Sequence, residues 1–134
     1  MTRLLLILPI LFEAISEGLE LRGITIFKQL GKQVETHELF SWFLIFVIFG
    51  WDMLTRQVST TWRQYVKLVL NYVLVYVLLR IVFFNYAHNI AADLPLNYIG
   101  TVSIIDRLIT ITGIIPYYIL QGFSLIGVYF LIRK

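Results

Sequence analysis

Long uncharged blocks alternate with short polar connections along this chain, and one block differs from the rest in carrying a charge at its centre. Twelve uncharged residues, 68–79, precede Arg80, and twelve, 81–92, follow it. At 1.5 Å per residue neither half crosses a hydrocarbon layer of about 30 Å, whereas the whole does. The pattern predicts one long spanning helix over residues 62–92 with an arginine inside it. Such a residue costs roughly 2.5 to 3.5 kcal/mol on insertion scales and faces a partner or a wet cavity instead of lipid. Something else in the chain must answer it.

The remaining blocks predict three further helices. Residues 4–12 are apolar; after them Glu13, Glu17 and Glu20 recur at i, i+4 and i+7, placing three carboxylates on one helical face. A basic Arg3, an apolar core and the small pair Ala14 and Ser16 resemble a secretory leader. Glu13 beside the would-be cleavage site argues instead for a retained helix over residues 3–21, with Pro9 tolerated or kinking it. Residues 24–30, between Gly23 and Gly31, read as a short interfacial turn. A helix over residues 38–55, with Thr36 as its cap, has thirteen uncharged residues before Asp52, near the minimum for a span. Ser59, Thr60 and Thr61 offer the cap of the long helix, and Pro95 ends it. Residues 97–109 have apolar positions at helical spacing, with Asp106 and Arg107 on the other side, and predict an interfacial amphipathic helix. Residues 108–132 form twenty-five uncharged positions closed by Arg133 and Lys134. They predict the last helix, over residues 110–132, with a bend near Gly113 and Pro116.

Composition agrees with this reading. At 134 residues the chain is one domain, 59% hydrophobic and 14% charged, with a mean hydropathy of +0.82, outside the range of soluble proteins. The expected fold is an all-α polytopic transmembrane bundle of four spans, or three if residues 1–35 lie along the membrane, forming a single integral membrane domain over residues 1–134. The net charge of +3 arises from cations flanking apolar blocks, so it points to topology and not to nucleic acid. There is no cysteine, which excludes disulfide and thiolate chemistry. With four spans and a cytoplasmic N-terminus, Arg3, Arg56, Arg63, Lys67, Arg133 and Lys134 lie inside, against Arg22, Lys28, Lys32 and Arg107 outside. That balance favours both termini in the cytoplasm, and Trp51 and Trp62 mark the inner headgroup level.

Three groups of polar residues are candidates for function. The first is Arg80 with an acid from helix 1. If the two helices enter the membrane level with each other, at Val66 and Leu4, Arg80 lies about 21 Å in, Glu13 about 13 Å and Glu17 about 20 Å. Depth therefore selects Glu17, with Glu13 as the second candidate if helix 1 is tilted or kinked. The second group gathers at the outer face: Glu17, Glu20, His37, Glu38, His88 and Asp93, together with Glu35. Imidazole and carboxylate groups can hold a metal or relay protons, although no metal-binding spacing is present and helix ends are where charges are tolerated. The third is a stripe of Gln64, Asn71, Asn85 and Asn89 on the long helix, extended by Gln121, which suits interhelical hydrogen bonding. No nucleophile elbow, phosphate loop or dinucleotide fingerprint occurs, and nothing in the residues requires a cofactor. The expectation is a non-enzymatic membrane component whose partners are the bilayer and other membrane subunits or further copies of itself. Metal or proton handling at the outer cluster is the alternative.

Overall fold

A computed structural model describes residues 2–24, 36–56, 61–98, 111 and 113–133. After a 3-10 segment, Thr2–Leu6, come four helices: α1 (Ile7–Leu21), α2 (Thr36–Arg56), α3 (Trp62–Ala92) and α4 (Ile114–Arg133). No strand occurs among the described residues, so the chain is an all-α bundle. α2 and α3 match their expected bounds to within two residues, and α1 ends where expected but starts four residues late, its expected first turn being the 3-10 segment. The last begins later than expected because Gly113 sits at φ +87, a left-handed conformation that no helix continues through. Pro116 then falls in the first turn of α4, as Pro9 does in α1, where a missing N–H leaves no helical bond unmade. Neither proline needs a kink. The predicted turn over residues 24–30 and the interfacial helix fall outside the described residues except at Ile24, Asn97 and Tyr98. The last two belong to the turn after α3, where the Tyr98 N–H donates to the Pro95 carbonyl at 2.8 Å.

Local chemistry sets the ends of α3. Thr61 and Gln64 form a capping box at its start, the Thr61 N–H donating to Gln64 Oε1 at 3.4 Å. At the other end Asp93 adopts φ 60 and ψ 39, while the Leu94 N–H reaches back to the Asn89 carbonyl at 2.9 Å and the Asp93 N–H to Ile90 at 3.3 Å. These two bonds form a Schellman turn, with aspartate where glycine is usual.

Among the described residues three helices are long and apolar enough to cross a membrane: the residues Glu38–Thr55 of α2, all of α3 and all of α4. α1 alone rises about 22 Å, and its 3-10 lead-in adds about 10 Å. It packs more extensively on α3 than on any other element and runs parallel to it, with Arg3 near the Tyr72 ring at one end and Gly18 against His88, Ala91 and Ala92 at the other. The first segment therefore passes through the bundle beside a spanning helix and does not lie across its surface. α2 and α4 run antiparallel to this pair. Phe12 of α1 meets Phe40 of α2, and Ser41 donates to the Pro9 carbonyl at 3.3 Å. A core of Leu6, Ile10, Ile48, Tyr72, Val75, Leu79 and Val128 joins all four helices at the end where both termini lie. There Arg3, 7% exposed, donates through Nη1 to the Leu131 carbonyl at 2.6 Å. It satisfies one of the carbonyls that the last turn of α4 leaves open, at the negative end of that helix.

Candidate functional site

The acid that answers Arg80 is Glu13, the second candidate, and not Glu17. Arg80 Nη1 lies 2.6 Å from Glu13 Oε2. The depth argument fails because the two parallel helices do not start level: Arg3 lies beside Tyr72, well beyond Val66. A 3-10 lead-in, rising about 2.0 Å per residue, carries Glu13 deeper still. Packing of α1 on α3 sets the register, and Gly18 fixes it at the His88 end of α3. A Cβ on Gly18 would come within 2.5 Å of the His88 carbonyl oxygen and 2.8 Å of the Ala91 Cβ, so only glycine permits this approach.

The guanidinium is held on three sides. Tyr76, one turn before Arg80, places its hydroxyl 3.3 Å from Glu13 Oε2 and 3.3 Å from Arg80 Nη1, donating to the first and accepting from the second. Phe84, one turn after, lies under the guanidinium with its ring centre 4.1 Å from Cζ, within cation–π range. Glu13 is enclosed, with 11% of its side chain exposed, while 36% of the Arg80 side chain remains open. The Arg80 hydrogen bonds to Glu13 and Tyr76 both use Nη1, which leaves the Nη2 and Nε donors over. A cleft of about 300 Å³ adjoins the pair, lined by Glu13, Glu38, Ser41, Trp42, Ile45, Tyr76 and Arg80. It exists because α2 rests on α1 and meets α3 mainly at the other end, where Phe49 packs against Tyr65 and Tyr72.

The polar stripe does not act as one surface. Asn85 and Gln121 both lie between α3 and α4: Asn85 donates to the Tyr117 hydroxyl at 3.1 Å, and Tyr86 donates to Gln121 Oε1 at 3.0 Å. Both Tyr117 and Gln121 Nε2 donate to the Ile81 carbonyl, at 3.0 and 3.2 Å. This is a helix-joining ladder. Asn89, 2% exposed, turns instead to the loop after α3 and donates to the carbonyls of Leu96 and Tyr98 at 3.3 and 2.9 Å. Gln64 caps its own helix, and Asn71 Oδ1 is buried without a hydrogen-bond partner. Helical spacing puts Gln64, Asn71, Asn85 and Asn89 on one side of α3, but α4, which carries Gln121, covers only part of that side.

The described members of the expected outer cluster each have their own surroundings, and Glu35 lies outside the described residues. Glu38 lines the cleft, His88 stacks on Phe84 with Nδ1 3.3 Å from Asn89 Oδ1, and Asp93 is exposed at the turn. Glu17 and Glu20 are half-buried on α1, and the His37 side chain lies outside the described residues. Among the described residues no three His, Asp or Glu side chains come together to hold a metal. Sequence reasoning passed over Tyr76 and Phe84, whose i−4 and i+4 spacing from Arg80 was the available signal. It also passed over the burial of Arg3 and of Asp52, which is 1% exposed.

Fold and site together define a small all-α protein with three helices suited to crossing a membrane and a charge pair inside the bundle. Compared with known protein families, curated proteins and solved structures, the chain matches none.

Proposed function

We propose that this chain is a small non-enzymatic integral membrane protein that works through helix contact, as a subunit of a membrane assembly or as a self-associating scaffold or pore, with both termini cytoplasmic. The observation that supports this reading is on α3. Although α3 is the central helix, with α1 and α4 against it, Leu70, Val73, Leu74 and Val77 stay 62%, 54%, 47% and 45% exposed. They recur at i, i+3, i+4 and i+7, a continuous apolar seam of the kind a neighbouring helix packs against. Asn85, Tyr86, Tyr117 and Gln121 are engaged in joining α3 to α4 and Arg80 and Tyr76 in holding Glu13 of α1, so what α3 offers along this seam is shape and not chemistry.

A photo-activatable residue at position 73, compared with one at position 119 on the outer face of α4, tests this in native membranes. The expected result is a discrete protein adduct, to a second copy or to another subunit, from position 73 and not from 119. Adducts to lipid alone from both positions would contradict it.

A further inference from the structure

The cleft beside Arg80 is separate from the seam on α3, and its lining is specific about what it will accept. It holds one guanidinium and two carboxylates, Arg80 against Glu13 and Glu38. An anionic guest would bring a third negative charge into a confined space of low dielectric. A cationic guest would have to lie against a guanidinium that already holds Glu13 at 2.6 Å. A neutral guest meets neither penalty. What Arg80 has left to give is hydrogen-bond donors, because Glu13 and Tyr76 are both engaged by Nη1 and the guanidinium carries five N–H groups in a planar fork. The complement is a neutral carbonyl acceptor.

Position and size specify the rest. The cleft volume of about 300 Å³ lies at the small end of ligand pockets, roughly 300 to 1,000 Å³, enough for a polar head and not for a long tail as well. Trp42 on its wall is 57% exposed, and Phe46, one turn further along α2, is 69% exposed. An apolar track therefore leads from the cleft along the outside of α2, where a tail would lie among lipid chains. Arg80 itself lies about 27 Å from the start of α3 and about 18 Å from its end, while Glu38 on the opposite rim belongs to the first turn of α2, so the cleft runs from a helix end into the apolar depth of the bundle and suits a polar head with an apolar tail. We propose that this cleft binds the head of a membrane-dissolved amphiphile bearing a neutral carbonyl group, with Arg80 donating to the carbonyl and the tail running along Trp42 and Phe46.

Four amphiphiles with the same ten-carbon tail separate the head chemistries: a decyl-benzoquinone, monodecanoylglycerol, decyl phosphate and decylammonium. Each is titrated into the purified full chain in detergent micelles at matched mole fraction, and the unfolding temperature is recorded. Expected is a saturable rise of roughly 4 °C or more with the quinone, the glycerol ester or both, and none with the two charged heads. The quinone and ester arms distinguish a ring carbonyl from an acyl one. Arg80→Lys keeps the charge opposite Glu13 but loses the planar fork, and it should abolish the rise while the unliganded variant still unfolds cooperatively. As a second probe that does not depend on Arg80, Ile45→Phe fills the cleft wall and should abolish the rise too. A larger rise with the phosphate or the ammonium, an equal rise in both variants, or no rise with either neutral head would overturn the proposal.

Discussion

Gly18 shows how much one missing methyl group decides. Ala14 and Gly18 are four residues apart, both buried on the face of α1 that meets α3, and such small pairs let membrane helices approach closely. Gly18→Ala should lower thermal stability in detergent by about 1 to 3 kcal/mol, the usual cost of overpacking, despite alanine's better helix propensity. Gly50, where an added Cβ meets nothing within 4 Å, is the control: Gly50→Ala should be neutral or stabilise by up to about 1 kcal/mol. Equal behaviour of the two variants would mean that α1 does not touch α3 there. Ala14 and Gly18, which carry the helix register, were not read as a packing pair from the sequence, where Ala14 was paired with Ser16 as a leader-like feature and the charge pattern alone pointed to Glu17. Arg80 was legible, because an isolated charge in a spanning block has no ordinary explanation. Its partner was not, since depth counted from the chain's entry point ignores how far one helix slides along another.

At the scale of elements, apolar block length located the helices, and turn chemistry set where they stop. Pro95 correctly announced the end of α3, but the residue that makes the turn is Asp93, in the left-handed region at φ 60. An L-residue there pays a steric cost that glycine does not. Asp93→Gly should therefore raise stability by roughly 0.5 to 1 kcal/mol, and Asp93→Val should lower it, both measured by thermal unfolding. A loss with glycine would show that the aspartate side chain, and not its backbone, holds the turn. The start of α4 teaches the converse: an uncharged run of residues 108–132 reads as one helix by hydropathy, yet Gly113 breaks it before Ile114. Hydropathy is blind to φ. It is equally blind to which polar side chains will meet, so Asn85 and Gln121 were separable from Gln64 and Asn89 only once α4 was seen to cover part of α3.

For the whole molecule, α3 is the axis, and the other helices are fastened to it by different means. α4 is joined by a neutral ladder through Tyr117 and Gln121, and its end is held by Arg3. α1 is joined by close packing at Gly18 and by the ion pair at Glu13. α2 leans on α1, and the cleft is the space this leaves. The pair thus sits where three helices meet, and the central claim is that Glu13 and Arg80 lock α1 to α3. Removing one partner of a buried pair strands the other, at a cost on the order of 3 to 5 kcal/mol, while removing both costs little. The most direct measurement is a double-mutant cycle on unfolding stability in detergent with Glu13→Leu, Arg80→Leu and the two combined, run beside Glu17→Leu with Arg80→Leu. The account predicts that each single change at positions 13 and 80 destabilises strongly and that their combination recovers most of the loss, while the Glu17 and Arg80 effects add. Simple additivity at positions 13 and 80, or recovery in the Glu17 combination instead, would contradict it.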